Sequence, residues 1–216
     1  MNSRMKKLLS LVREKGVLGF LKETVSRIRS FVFSYRPVYI YGISAPPSPN
    51  LKARCSLEIH RGTEQNIHHI LELMAYMDRS AALQRIKEGF EEEYEPFVAF
   101  SEGKVAHVSW LFHPPEVKET LVVFHLHEDQ CSIGACLTSP EFRGMNIYPV
   151  VLQSILQEVV KRGAKAAFIA AAPSNTASIR GIEKAGFRLI ETVRGFRLFG
   201  KMFNHHWYAP EKLNGC

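Results

Sequence analysis

"TSPEFRGMNIYPVVLQSIL", residues 138–156, runs from the end of an apolar stretch across Ser-Pro and Arg-Gly into a segment with helical spacing. Ile147, Val151, Ile155 and Val159, with Tyr148, Leu152 and Leu156, make one broad apolar stripe, and Gly163 stands where a helix C-terminal glycine belongs. The preceding "CSIGACLTS" (131–139) reads as a strand. A strand that stops and a helix that starts across a glycine leave several backbone N–H groups unpaired at the positive end of the helix dipole. Such a junction binds anions, phosphates above all; Arg143 adds a cation, and Gly144 keeps a Cβ out of the ligand's path. The same glycine also suits a tight turn that holds nothing, and spacing alone leaves both readings open. The turn is neither a Walker P-loop, since no Gly-Lys-Ser/Thr closes it, nor a G-x-G-x-x-G loop.

Around this junction, strand and helix patterns are intermixed. "RCSLEIHRG" (54–62) reads as a strand, and residues 64–89 carry Ile67, Ile70, Leu71, Met74, Met77, Leu83 and Ile86 at helical intervals. "PFVAFSEGKVAHVSWLFHP" (96–114) predicts two strands about a Glu102-Gly103 turn, and "TLVVFHLHE" (120–128) a further strand. "AAFIAAA" (166–172) has the composition of a buried strand, "SNTASIRGIEKAG" (174–186) that of a short helix closed by Gly186, and residues 187–208 that of two more strands. The expectation is one layered α/β domain.

The chain has 216 residues, a net charge of +7 and four scattered cysteines with no C-x-x-C, which suits free thiols in a reducing compartment. No secretory signal or bilayer-length apolar run is present, so the expected location is cytoplasmic. All the excess charge lies in residues 1–36, which hold nine Lys or Arg against Glu14 and Glu23. Residues 4–33 show apolar positions at helical spacing, weakened by Gly16 and Gly19. Pro46, Pro47 and Pro49 then mark a hinge, which divides the chain into a basic amphipathic extension (1–47) and a larger domain (48–216). The extension has three readings: a helix packed on the domain, a contact with a membrane surface through residues 1–36, or an arm for a partner or nucleic acid. "RSFVFSYRPVYIY" (29–41) interleaves aromatics with Arg, as a base-stacking segment does, yet its alternation equally makes a strand, and nucleic acid is the weakest of the three.

The quoted segment, followed at 174–187 by "SNTASIRGIEKAGF", resembles the two signature segments of the GCN5-related N-acetyltransferases, the GNAT superfamily. The resemblance covers about residues 54–208. It implies a mixed, mostly antiparallel central sheet flanked by helices, and acetyl-CoA (acyl-CoA) as co-substrate without a metal. It further implies that Leu137 and Thr138 end a strand that splays from its neighbour, and that the amides of Arg143, Gly144, Met145, Asn146 and Ile147 hold the CoA pyrophosphate. Asn175 and Ser178 would touch the pantetheine arm; Asn175 also suits a helix N-cap, and the two roles are compatible. Two positions depart from the family pattern. Glu141 and Asn146 replace the first and last residues of the usual R/Q-x-x-G-x-G/A loop, and Ile182 stands where many relatives have a Tyr that protonates the leaving thiolate.

The implied reaction is direct attack of a primary amine of a small-molecule acceptor on the thioester in a ternary complex. The alternative is a non-catalytic acyl-CoA-binding module. Histidine titrates near neutrality, so His125 and His127, which alternation places on one face of their strand, are the candidate bases, although a sheet-face histidine also serves packing. Tyr148 is a core residue or a substitute acid. The pairs His125/His127, His68/His69 and His205/His206 lack further ligands at zinc spacing, and no metal is expected.

Overall fold

Alternation along the strands sorts the side chains into two apolar layers, one on each face of a central sheet. In the computed structural model, which describes residues 33–44, 51–63, 67–74, 78–119, 122–199, 201–211 and 213, the main sheet has eight strands. In chain order these are β1 (Phe33–Ile43), β2 (Glu58–Arg61), β3 (Glu95–Ser101), β4 (Lys104–Phe112), β7 (Gln130–Thr138), β8 (Ala166–Ala171), β9 (Arg188–Leu198) and β10 (Lys201–Phe203). Their spatial order is β10-β9-β1-β8-β7-β4-β3-β2, antiparallel except for the β7/β8 pair. A second sheet, β11-β6-β5, joins β5 (Glu116–Lys118), β6 (Val122–His125) and β11 (His205–Tyr208).

Both faces of the main sheet are covered at β8, which is why that strand reads as a continuous apolar run. Ala167, Ile169 and Ala171 pack with Ile147, Val151, Leu152, Ile155 and Val159 of α3 (Ile147–Lys161) and Ile182 of α4 (Thr176–Lys184). Ala166 and Phe168 point the other way, toward Ile70 of α1 (Ile67–Leu73), Ile86 of α2 (Arg79–Glu91) and Phe124 and Trp207 of the small sheet. The single helical segment expected over 64–89 is two helices. Asp78 accepts hydrogen bonds from the Ser80 and Ala81 amides at 3.0 and 3.1 Å and so starts α2 afresh.

The boundary expected near Pro47 does not separate residues 33–43 from the domain. They form β1, paired on one side with β8 and on the other with β9, in the interior of the main sheet. The three prolines and residues 1–32, where the basic amphipathic segment was expected, lie outside the described residues.

One buried charge ties the layers together. Glu95, at the start of β3, accepts from Arg162 Nη1 at 2.8 and 3.0 Å, from Arg61 Nε at 2.8 Å and from His113 Nε2 at 2.8 Å. Arg162 caps α3, Arg61 ends β2 and His113 follows β4, so one carboxylate joins four elements.

Candidate active site

The site begins where β7 leaves β8. Parallel pairing runs only from Gln130↔Ala166 to Ser132↔Phe168, whereas β7 stays paired with β4 to His107↔Thr138. A register shift between Val108 and Trp110, with Ala135 at φ 47°, bends the strand beyond that point. The edge of residues 133–138 that faces away from β4 is therefore splayed from β8, the geometry that the family resemblance implies for Leu137 and Thr138.

A cleft of about 540 Å³ opens along this edge. Its walls include Leu137, Thr138, Arg143, Gly144, Asn146, Ile147, Asn175 and Ser178, so the structure brings together eight of the nine expected binding residues. Met145 is the exception: its side chain packs on the core, and its carbonyl accepts the Arg54 amide at 2.9 Å. Gly144 sits at φ 81° and Asn146 at φ 60°, two left-handed residues that turn the chain into α3. First-turn amides have no intrahelical partner, and among the described residues those of Gly144 to Ile147 donate to no other backbone carbonyl. Arg143, whose Nε donates to Thr138 O at 3.4 Å, stands on one side of the cleft. Arg180 and Lys184 of α4 stand on the other, with Lys184 Nζ on Asn146 Oδ1 at 3.0 Å. Both cations escaped sequence reasoning; their i, i+4 spacing on one helix face was the available signal. Asn175 is the N-cap of α4, its Oδ1 accepting the Ser178 amide at 3.2 Å.

A second cleft, of about 570 Å³, lies on the opposite side of β7 and is lined by Met74, Tyr94, Trp110 and Phe112, with Arg85, Glu88, Glu92 and Lys118 among its polar residues. The two clefts share Cys136 and Leu137. Glu119 lines the second. Its Oε1 is enclosed and has no hydrogen-bond partner among the described residues. Gly134 makes room for it, since a Cβ there would stand 2.7 Å from Oε1. Burial pushes the Glu119 carboxyl up to about 8, against a smaller downward pull from the Ser132 hydroxyl. Nothing periodic in "PEVKETL" (115–121) distinguishes this glutamate; burial does.

The remaining titratable groups at the junction hold fixed protonation states at neutral pH. His107 is neutral, pushed down to about 3 by burial, with Nδ1 2.7 Å from Thr138 Oγ1 and Nε2 2.7 Å from Ser109 Oγ. Cys136 is a thiol, pushed up to about 12 by burial. Tyr148 stacks on His107 with ring centroids 5.3 Å apart, and its hydroxyl lies 3.4 Å from Ser178 Oγ. Burial raises the phenol well above its ordinary value, so it is protonated in the free protein. The ring fills the space that a side chain at Gly181 would take.

The two expected bases stand elsewhere. His125 and His127 line neither cleft, because β6 joins the small sheet rather than the main one. His125 stacks on Tyr208 at 4.3 Å and shares a 2.9 Å hydrogen bond with His206 Nδ1, and His127 Nε2 donates to Ala209 O at 3.1 Å. Ile182 is fully buried in the core.

A splayed parallel pair, an amide-rich turn and the helix beside it together form the cleft. Residues 101–195 match the family model described as FR47-like protein. A GNAT-family acetyltransferase from Colwellia psychrerythraea shares the fold with a TM-score of 0.58 at 13% identity, over 84% of this chain and 63% of that one. A GCN5-related N-acetyltransferase from Sphaerobacter thermophilus gives 0.58 at 13% identity, over 85% and 58%. An aminoglycoside antibiotic 6'-N-acetyltransferase from Acinetobacter haemolyticus gives 0.50 at 16% identity, over 63% and 94%. The chain thus spans roughly three fifths of the first two of these relatives. No curated protein matches it by sequence. The chain shares the fold of these GNAT-family acetyltransferases.

Proposed function

We propose that the chain transfers an acetyl group from acetyl-CoA to a primary amine of a small-molecule acceptor, by direct attack in a ternary complex. The observation that carries this reading is the meeting of the two clefts at Cys136 and Leu137. One is rimmed with unpaired amides and the cations Arg143, Arg180 and Lys184, and suits the CoA pyrophosphate and pantetheine. The other is floored with aromatic side chains and ends at an enclosed carboxylate, and suits an amine on an apolar body with polar substituents.

Glu119 takes the place of His125 and His127 as the base. The amine nitrogen attacks the thioester carbon, its proton passes to the Glu119 carboxylate, the C–S bond breaks, and the CoA thiolate takes a proton from the Tyr148 hydroxyl, which solvent reprotonates as Glu119 releases the proton it took. Tyr148 thus supplies from α3 the proton that the buried Ile182 lacks. His107 is too weak a base, with both ring nitrogens engaged. Cys136, as a thiol, disfavours an acyl-enzyme route. Preorganisation of the two substrates supplies much of the remaining rate.

The second reading is an acyl-CoA-binding module without turnover, which the burial of Ile182 favours. Release of free CoA thiol from acetyl-CoA in the presence of a panel of small amines separates the two. The acyltransferase gives acceptor-dependent release, and the module binds acetyl-CoA without it. Tyr148→Phe is expected to lower kcat by about 10- to 100-fold while leaving acetyl-CoA affinity within about twofold of wild type. An unchanged kcat would remove Tyr148 from the mechanism.

A further inference from the structure

At the end of the main sheet farthest in strand order from β2, the strands β1, β9 and β10 present an apolar surface that the acyl-transfer reading does not use. Directly opposed residues of an antiparallel pair share a face, and the register sets Tyr35 opposite Phe196, Phe196 opposite Phe203, Leu198 opposite Lys201 and Pro37 opposite Arg194. Positions 194, 196 and 198 of β9 therefore lie on one face with Tyr35 and with positions 201 and 203 of β10. Tyr35 is 54% exposed, Phe196 38%, Leu198 37% and Phe203 37%, and Phe199 at the β9/β10 turn is 65% exposed. Monomeric proteins rarely leave so many large apolar side chains together in water, and such a cluster marks a contact surface.

The cations on this face point to the partner. Phe196 and Phe203 stack on each other with centroids 4.8 Å apart. Arg194 Cζ lies 5.6 Å from the Tyr35 ring centroid, and Lys201 Nζ 5.7 Å from that of Phe203. Aromatic bodies with Arg and Lys heads beside them match a membrane interface, where rings sit at headgroup depth and cations meet phosphate. A nucleic-acid platform needs open ring faces on which bases stack, and here those faces are already engaged by one another and by cations. Residues 192–203 contain no Asp or Glu. The chain that leads into β1, residues 1–32, carries eight Lys or Arg against two Glu, so its charge has the same sign. Among the described residues no helix is long and apolar enough to cross a membrane.

We propose that the aromatic and cationic face formed by Tyr35, Arg194, Phe196, Leu198, Lys201 and Phe203, with Phe199 at its tip, docks the protein on an anionic phospholipid surface. The inference stands independently of the catalytic reading. Co-sedimentation of the full chain with phosphatidylcholine vesicles, with and without phosphatidylglycerol, tests it. Binding is expected only to the phosphatidylglycerol vesicles, to weaken with salt, and to fall at least tenfold in the Phe199→Ser/Phe203→Ser variant. Should that variant fail to fold by circular dichroism, Arg194→Gln/Lys201→Gln tests the same face, with a loss of roughly fivefold per charge. No sedimentation of the wild type with either vesicle overturns the proposal. So does binding equal to wild type in the folded variants, which assigns lipid affinity to residues 1–32 alone. Self-association of the wild type that the aromatic variant abolishes, without lipid binding, makes the face a contact between two copies and likewise overturns it.

Discussion

Glu119→Gln is expected to lower kcat/KM by about 100- to 10,000-fold, the range for loss of a positioned general base, with acetyl-CoA affinity unchanged. Gln keeps the shape of the side chain and removes its capacity to accept a proton. In the wild type, kcat/KM should rise with pH and level off above about 8, where the free enzyme's carboxyl is ionised; the variant should lose that limb. A second readout comes from stability. Folding raises the Glu119 pKa from 4.5 to about 8, so the folded chain binds the extra proton between those values and stability declines as pH rises through that window. Glu119→Gln should flatten this decline, so a less active enzyme would be more stable than wild type at alkaline pH. Denaturant unfolding at pH 5 and pH 9 measures it, and an unchanged slope together with an unchanged rate would refute the assignment.

Glu95→Ala is expected to cost about 1–3 kcal/mol at neutral pH, because it removes the one buried carboxylate shared by Arg61 and Arg162, whose partly exposed guanidinium groups water then solvates. Arg162 retains Glu158 at 2.9 Å, whereas Arg61 makes no other ion pair among the described residues. Burial raises the Glu95 pKa, but hydrogen bonds from Arg162 and His113 and the charges of Arg162 and Arg61 outweigh it, so the folded value lies below 4.5. The stabilisation is therefore present above pH 4.5 and is lost as pH falls through the lower, folded value. Urea midpoints of wild type and variant should diverge at pH 7 and converge in acid. A constant gap would mean that packing around the glutamate, and not its charge, holds the four elements.

The parts of the molecule that depend on local chemistry were legible in the sequence. The stripe Ile147, Val151, Ile155, Val159 and the glycines at 144 and 163 mark α3 and its approach, and Gly163 takes φ 95° at the helix end as expected. What the sequence does not carry is which strands meet. "FSYRPVYIYGI" alternates as a strand should, yet its partners lie about 125 to 165 residues later in the chain, and the nearby prolines suggested a boundary that the sheet crosses. His125 and His127 failed for the same reason: alternation gives a face, and the face belongs to a sheet that only tertiary structure assigns. Glu119 and His107 are defined by enclosure, which converts an ordinary carboxyl into a group near 8 and an ordinary imidazole into one near 3.

The claim on which the rest depends is that the turn at 143–147 holds the pyrophosphate of acyl-CoA. Gly144 is left-handed, and a Cβ there would meet nothing within 4 Å, so a side chain would project into open space at the mouth of the amide-rich turn. Isothermal titration of acetyl-CoA into the full chain and into Gly144→Glu, with circular dichroism to verify folding, addresses it directly. Saturable one-site binding to the wild type that disappears in the folded variant is the predicted result, since a fixed carboxylate would repel the phosphates. No binding to the wild type, or equal binding to both, would contradict it.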